Sequence, residues 1–305
     1  MGDSAGKRTP VGRLWFLAAI LCLAAALVFP RSASAQALAP YKDDLFDYPA
    51  VLFEDFGGDF KVVEYSKERD LRERDEVDEQ RVFPQYVSLY PKRIQNDETL
   101  RFGKSAVRYI AVGEPGPGTR AIVIYLHGRG GNRHQGANDW MFGGNFNRIK
   151  NLMARNNGVY LSPDFTDFDK TGTLEIKMLM ADMAKKAPRA RIILACGSMG
   201  GLLCWNLTKD REAAALIGGM LLLGSVSDKD FPRSAALRRR FPIYLGHGSF
   251  DPYIPWKTQE TFFKRVRRAA PGYPIKFVLF DTGSHGTPIR MTDWRLVLNW
   301  MLSVR

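Results

Sequence analysis

The chain has 305 residues, of which 45% are hydrophobic, 12% aromatic and 25% charged. These fractions exclude a disordered, collagen-like or low-complexity chain, and the length suits one large α/β domain or two small ones. The net charge of +12 raises the question of nucleic-acid binding, but no nucleic-acid motif accompanies it, and we predict no such partner.

The first 35 residues have the three-part layout of a secretory signal peptide. A basic start is followed by an apolar run of 16 residues, Leu14–Phe29, and by the small residues Ala33-Ser34-Ala35. We predict cleavage before Gln36 and export to the periplasm or the cell exterior. The alternative is an uncleaved signal that anchors the protein in a membrane, because the run is only slightly shorter than a membrane span.

Residues 36–105 form an N-terminal lead-in with the first strands, to which we assign no function. Its beginning, from Pro40 to Phe60, indicates irregular structure. The charge-rich segment from Lys67 to Arg81 indicates a solvated loop or a polar hairpin edge. Strands are predicted at 85–90 and, where the next region begins, at 106–112.

Residues 106–305 are predicted to form an α/β core. Short apolar, β-rich runs alternate with helical stretches, which favours parallel βαβ units in a mostly parallel, doubly wound sheet with an antiparallel lead-in. The predicted strands of the alternating part are 121–126, 158–161, 191–195, 217–223, 241–245 and 275–280. The predicted helices are 145–156, 173–187, 201–209, 258–269 and 293–303.

A glycine-rich loop, 127–131, follows the strand at 121–126. Such a loop can present backbone N–H donors to the oxyanion that builds up during acyl transfer. The predicted donors are the backbone N–H groups of Arg129 and of Met199, which lies on a later turn. Considered alone, the loop would fit a phosphate-binding turn nearly as well.

The strongest chemical signal follows the strand at 191–195. There the chain runs through Cys196-Gly197-Ser198-Met199-Gly200 directly into a helix. A serine on so sharp a turn is held in a strained conformation, and small residues two before and two after it let the neighbouring backbone pass. The positive end of the helix dipole favours negative charge at this place. Ser198 is therefore the candidate nucleophile, in preference to a simple helix cap.

Two later strand ends supply the partners that such a serine needs. Asp251 follows the strand at 241–245, and His285 follows the strand at 275–280. A serine hydroxyl is a weak nucleophile until a base removes its proton, and a carboxylate must orient that base. The chain order of the three residues is the one expected when they lie on successive loops of one sheet. Asp228 and Asp281 are rival candidates for the acid.

With four motifs in this order, the sequence resembles the α/β-hydrolases over residues 106–305, and among them the small carboxylesterase, phospholipase and polyester-depolymerase types. The resemblance implies Ser198 as nucleophile, Asp251 as acid and His285 as base. It also implies an oxyanion hole formed by the backbone of Arg129 and Met199. Cysteine at 196 departs mildly from the family pattern, in which glycine is usual there.

Little or no lid is expected, because seventeen residues separate the strand ending at 223 from the one beginning at 241. An open site favours soluble esters or polymeric chains over interfacial lipase action. Trp140 and Phe142 are candidates for lining an acyl pocket, with packing against the sheet as the alternative. Arg129 and Arg133 flank the oxyanion loop and either favour an anionic substrate or are simply solvated.

No metal or cofactor is predicted. The two cysteines outside the signal segment, Cys196 and Cys204, are expected to remain buried thiols, because a bridge across eight residues there would need favourable geometry. His127 and His247 are expected to pack or to bind loop backbone, and His134 to be exposed.

Basic residues concentrate between Lys229 and Lys276, where eleven Lys and Arg stand against three Asp and Glu. The simplest interpretation is a solvated surface. The sharper one is weak electrostatic association with an anionic cell envelope or another polyanion.

Taken together, the motifs predict an exported serine hydrolase that cleaves carboxylic esters, small or polymeric, through an acyl-enzyme intermediate. The same residues could serve a peptidase or amidase. They could also serve an acyltransferase, in which an acceptor hydroxyl replaces water. A hypothesis of a different kind is that the protein is a catalytically inactive, hydrolase-like module, which uses the basic residues between Lys229 and Lys276 to bind a polyanion or the cell envelope.

Overall fold

The computed structural model describes residues 1–2, 38–76 and 80–304. The predicted cleavage site and apolar run therefore lie outside the described residues. The chain from Leu38 onward forms one compact unit. Among the residues described, no helix has the length and apolar character needed to cross a membrane.

Twelve strands are present in the described part of the chain. They are β1 Val51–Asp55, β2 Phe60–Val63, β3 Asp75–Glu76, β4 Arg81–Val82, β5 Gln95–Phe102, β6 Ser105–Val112, β7 Ala121–Leu126, β8 Val159–Pro163, β9 Arg191–Gly197, β10 Ile217–Leu223, β11 Ile243–Gly248 and β12 Ile275–Phe280. Strands β3 and β4 form a separate hairpin, and the other ten form one sheet in the order β1-β2-β12-β11-β10-β9-β7-β8-β6-β5. The strands from β2 to β8 in this order are parallel, and antiparallel pairings occur towards the two edges.

Helices cover both faces of the sheet. They are α1 Arg133–Ala137, α2 Asn145–Arg155, α3 Lys170–Lys186, α4 Gly200–Lys209, α5 Arg211–Leu216, α6 Trp256–Ala269, α7 Thr287–Met291 and α8 Trp294–Ser303. Apolar side chains of α3, α4 and α6 pack on one face, and those of α2 and α8 pack on the other. Strand β7 contributes alternate side chains to both cores, which explains why it reads as an unbroken apolar run.

The predicted α/β fold class is confirmed, and three strands, at 121–126, 217–223 and 275–280, have the predicted bounds. Two predictions in the lead-in are wrong. The segment predicted as irregular contains β1, and no strand forms at 85–90, where the chain makes 3-10 turns that contain Pro84 and Pro91. Proline fixes φ and donates no ladder hydrogen bond, so it favours turns here.

The charge-rich segment 67–81 is also less solvated than predicted. Asp70, Arg74 and Asp75 are buried. The Asp75 carboxylate accepts a hydrogen bond of 2.9 Å from the guanidinium of Arg290 on α7, and Arg74 lies 4.4 Å from the centre of the Tyr86 ring. Burial is tolerated because these charges have partners: Asp70 pairs with the adjacent Arg69, and Asp75 pairs with Arg290 from another part of the chain.

The connection between β10 and β11 consists of irregular chain with two 3-10 turns, Phe231–Arg233 and Ala235–Arg239. No further helix or strand is inserted in this connection, all of whose residues are described. This connection therefore forms no cap over the loops at the carboxyl ends of the parallel strands.

Candidate active site

Ser198 lies on the sharp turn between β9 and α4. Its φ is +49°, in the left-handed region that costs an L-residue roughly 1–2 kcal/mol. Two residues later, at Gly200, the neighbouring backbone leaves no room for a side chain, because a Cβ there would lie 2.3 Å from the carbonyl oxygen of Leu126. The turn thus holds the serine side chain in a strained position at the edge of the sheet.

The structure brings Ser198, His285 and Asp251 together at the carboxyl ends of β9, β12 and β11. His285 Nε2 is 2.9 Å from Ser198 Oγ, and His285 Nδ1 is 2.7 Å from Asp251 Oδ2. Because the carboxylate accepts the Nδ1 proton, Nε2 is left free to accept the proton of the serine hydroxyl. A base and an orienting carboxylate within hydrogen-bond reach are what a serine hydroxyl needs in order to act as a nucleophile.

The Asp251 carboxylate is completely buried. Burial raises its pKa, but hydrogen bonds from His247, from His285 and from the backbone N–H groups of Ile254 and Tyr253 outweigh that effect and lower the pKa well below its ordinary value. Oδ1 accepts the two backbone bonds, at 3.1 Å and 2.9 Å respectively. The aspartate is therefore held charged and fixed in orientation.

His247 is a second histidine beside this carboxylate. Its Nε2 lies 2.8 Å from the carbonyl oxygen of Ile254 and 3.3 Å from Asp251 Oδ2. Both neighbours are acceptors, so Nε2 carries a proton and donates to them. The bond to loop backbone was predicted, but the contact with the acid was not. The spacing of four residues between His247 and Asp251 was the available signal.

A cavity of about 570 Å³ opens beside Ser198 Oγ. Much of its wall is apolar, formed by Phe142, Leu223, Val226 and Ile289 among others. Of the two aromatic residues predicted to line an acyl pocket, the structure places Phe142 there. It does not place Trp140 there, whose ring instead packs 3.5 Å from the guanidinium of Arg81.

The two residues predicted to supply oxyanion donors, Arg129 and Met199, line the same cavity. The glycine-rich loop lies against Ser198, because a Cβ on Gly128 would come within 2.9 Å of Ser198 Cβ. The side chain of Arg129 is exposed at the cavity mouth. Arg133, by contrast, is tied to Asp164 at 2.7 Å and does not line the cavity.

The rival acids lie elsewhere. Asp228 forms an ion pair with Lys209 at 3.0 Å, and Asp281 accepts a hydrogen bond of 3.4 Å from the Ser249 hydroxyl. Neither carboxylate is placed against the histidine. In the part of the chain that the structure describes, no group of His, Cys, Asp and Glu side chains is arranged to hold a metal ion.

The expectation of two free thiols is wrong. Cys196, at the end of β9, and Cys204, on α4, form a disulfide with a Cα–Cα distance of 6.7 Å, which is within the range of disulfides. Helix α4 turns back along β9 directly after Ser198, so its second turn faces the end of the strand. The bridge therefore links the two elements that hold Ser198.

We expect loss of this disulfide to lower the free energy of unfolding by about 2–3 kcal/mol, since it closes a short loop in the unfolded chain. Chemical denaturation with and without reductant measures the change, using protein that begins at Gln36. A Cys196→Ser/Cys204→Ser variant is the control, because its unfolding should not respond to reductant. Two reactive thiols in wild-type protein unfolded without reductant would contradict the bridge.

Comparisons with known proteins identify the fold. A thermostable esterase matches with a TM-score of 0.54 and 15% identity, over 68% of this chain and 62% of the esterase chain. A protein named FAE matches with a TM-score of 0.54 and 15% identity, over 73% of this chain and 92% of that chain. XC6422 from Xanthomonas campestris, described as an a/b serine hydrolase without lid, matches with a TM-score of 0.49 and 14% identity, over 68% and 93%.

No family model matches the sequence, and no curated protein matches it. This chain spans 62% of the length of the thermostable esterase. The likeness to the thermostable esterase and to FAE, together with the sheet and helix arrangement, shows that the chain has the α/β-hydrolase fold.

Proposed function

We propose that the protein is a serine hydrolase that cleaves carboxylic esters. The observation that carries this proposal is the single imidazole of His285, which lies between Ser198 Oγ at 2.9 Å and the buried Asp251 carboxylate at 2.7 Å, beside a largely apolar cavity. The fold by itself supports many activities, and it is the chemistry of this site that favours hydrolysis.

In the first half of the reaction, Ser198 Oγ attacks the ester carbonyl carbon while its proton passes to His285 Nε2. The carbonyl oxygen becomes an oxyanion, which the backbone N–H groups of Arg129 and Met199 stabilise. The tetrahedral intermediate collapses when the imidazolium returns its proton to the departing alkoxide, and an alcohol leaves. Asp251 stabilises the transient imidazolium and holds it in orientation.

In the second half, water takes the place of the alcohol. His285 Nε2 removes a proton from the water, whose oxygen attacks the acyl-enzyme carbonyl carbon. The second tetrahedral intermediate expels Ser198 Oγ, which recovers its proton from the imidazolium. The carboxylic acid leaves, and the residues return to their starting states without a metal or organic cofactor.

The cavity favours an acyl group that is apolar and of modest size. Its walls are mostly hydrocarbon, and burial of each CH₂ contributes about 0.8 kcal/mol. The missing cap between β10 and β11 leaves room for a large alcohol moiety or a polymer outside the cavity. The exposed Arg129 side chain at the mouth is available to an anionic group of the substrate.

We also propose export as the setting of this activity. The sequence of the first 35 residues supports it, and so does the Cys196–Cys204 disulfide, because disulfides persist mainly in oxidising compartments. N-terminal sequencing of protein from expressing cells tests the proposal: a chain beginning at Gln36 is expected, and an intact N-terminus found only in membranes would favour the anchored alternative.

The experiment that tests the catalytic proposal compares p-nitrophenyl esters, from acetate to decanoate, with a matched p-nitroanilide. An ester hydrolase that forms an acyl-enzyme is expected to release a burst of p-nitrophenol equal to the enzyme concentration, provided that deacylation is slow. Faster turnover of the anilide would favour the peptidase or amidase, and transfer to an added alcohol exceeding hydrolysis would favour the acyltransferase. No turnover of any substrate would favour the binding module.

A further inference from the structure

Basic side chains gather at the amino ends of the parallel strands, opposite to the candidate active site. The site follows the carboxyl ends of β9, β11 and β12, whereas the segments that precede these same strands, including the C-terminal parts of α3 and α6, carry arginine and lysine. We call this set the basic edge; it comprises Lys185 and Arg189 before β9, Arg238, Arg239 and Arg240 before β11, and Arg265, Arg267 and Arg268 before β12.

Hydrogen bonds join neighbouring turns of the basic edge into one surface. The Arg240 guanidinium donates to the carbonyl oxygen of Gly272 in the turn before β12. Arg239 donates to the carbonyl oxygen of Ala215, near the start of β10, at 3.0 Å. Because β12, β11, β10 and β9 are successive neighbours in the sheet, the charges lie side by side rather than scattered over the protein.

Much of this positive charge has no acidic partner. Arg238, Arg239, Arg240 and Arg268 are exposed, and none forms an ion pair with a carboxylate of the described residues. Arg267 is the exception, since it pairs with Asp59 at 2.6 Å.

The three acidic residues between Lys229 and Lys276 do not pair with the basic edge. Asp230 pairs with Arg233, and Glu260 pairs with Lys257 and Lys264. The third, Asp251, is buried in the active site at the other end of the strands. The positive charge of the four exposed arginines is therefore not neutralised by a carboxylate of the described residues and can attract an anionic partner.

The first residues of the compact unit lie at the same end of the strands. The Leu38 N–H donates to Asn299 Oδ1 on α8 at 2.7 Å, and the Ala39 N–H donates to Asn156 Oδ1, just before β8, at 2.7 Å. Arg191, the first residue of β9, contacts the carbonyl oxygen of Met301 near the end of α8. The compact unit therefore begins, at Leu38, at this end of the strands.

We propose that the basic edge docks on the surface of an anionic phospholipid bilayer, with the active site facing away from it. Clustered Lys and Arg are attracted to anionic lipid. The aromatic residues beside the basic edge, Phe241 and Tyr273, are buried, so nucleic-acid bases could not stack on them. Strands of six or seven residues separate the two ends, at about 3.3 Å for each residue. Docking therefore leaves the cavity open to substrates in solution.

The test is vesicle co-sedimentation of protein that begins at Gln36, which retains the whole compact unit and lacks the apolar run. Vesicles of phosphatidylcholine are compared with vesicles containing about one third phosphatidylglycerol, at low salt and at about 1 M salt, where the Debye length is about 3 Å. The test variant is Arg238→Glu/Arg239→Glu/Arg268→Glu. The control variant, with the same change of net charge, is Arg93→Glu/Arg101→Glu/Lys104→Glu, whose exposed residues lie on or near β5 and β6.

We expect binding to the anionic vesicles only, loss of that binding at high salt, and an affinity about a hundredfold lower for the test variant. The control variant is expected to bind much more tightly than the test variant. An equal loss of vesicle affinity in both variants would show that net charge alone determines binding, and it would overturn the proposal. Equal binding to neutral vesicles, unchanged binding of the test variant, or binding to heparin or DNA without binding to vesicles would also overturn it. The assay needs no turnover, so its outcome is independent of the proposed hydrolysis.

Discussion

Substitution of Ser198 by alanine is expected to lower kcat by about 10⁶-fold, the scale at which loss of a serine nucleophile acts. The variant keeps the cavity and the His285–Asp251 pair but has no oxygen to attack the carbonyl carbon. Steady-state hydrolysis of the best p-nitrophenyl ester measures the loss. Activity within tenfold of wild type would remove Ser198 from the mechanism.

Ser198→Gly is the matched companion variant. It should be as inactive as the alanine variant and yet more stable than it, because glycine adopts the φ of +49° without the steric cost that an L-residue bears there. Thermal melts of the two variants measure this difference. Equal melting temperatures of the two variants would show that the turn at residue 198 stores no strain.

Asp251→Asn is expected to lower kcat by about 10⁴-fold with little change in KM. Asparagine has nearly the same shape, but its neutral amide stabilises the imidazolium less and can favour the wrong tautomer of His285. Kinetics on the same ester measure the effect. The control is Asp281→Asn, which alters the rival carboxylate and should leave kcat nearly unchanged. A large loss in the control with none in Asp251→Asn would reassign the acid.

The same variant carries a pH signature in stability. The pKa of Asp251 is lowered in the folded protein, so the charged carboxylate stabilises the fold above the unfolded-state pKa of about 3.9. That contribution is lost as the pH falls towards and through the lower folded pKa. The difference in unfolding free energy between wild type and Asp251→Asn should therefore narrow in acid. A difference that does not change with pH would mean that charge is not what holds this loop.

The three central residues of the site could be predicted because each lies on the loop that follows an apolar strand. Strand runs such as 121–126 are recognisable from local sequence, and parallel strands bring their carboxyl ends to one edge of the sheet. Ser198, Asp251 and His285 needed no knowledge of side-chain packing to be assigned to that edge.

Features that depend on packing between distant segments could not be predicted. Strand β5 has mostly exposed or half-buried side chains at the end of the sheet, so it lacks the apolar pattern of a buried strand. Strand β2 pairs with β12 from the other end of the chain, and no local pattern reveals such a pairing. Trp140 and Phe142 separate because the chain turns sharply at Phe142, whose φ is +52°.

The disulfide and the second histidine show the same limit at smaller scale. A spacing of eight residues between Cys196 and Cys204 is compatible with many geometries, and only the direction of α4 relative to β9 brings them within reach. His247 reaches Asp251 because the loop after β11 folds back over the end of its own strand. In both cases the path of the backbone decides the contact.

The central claim is that His285 activates Ser198 for covalent chemistry, and fluorophosphonate labelling followed by peptide mapping tests it most directly. The folded protein should incorporate one label, on the peptide that contains Ser198. Labelling should fall steeply in His285→Ala and disappear after unfolding, because an unactivated serine does not react. If Ser198 in the folded wild-type protein stays unlabelled, or if labelling is unchanged in His285→Ala, the activated nucleophile is contradicted.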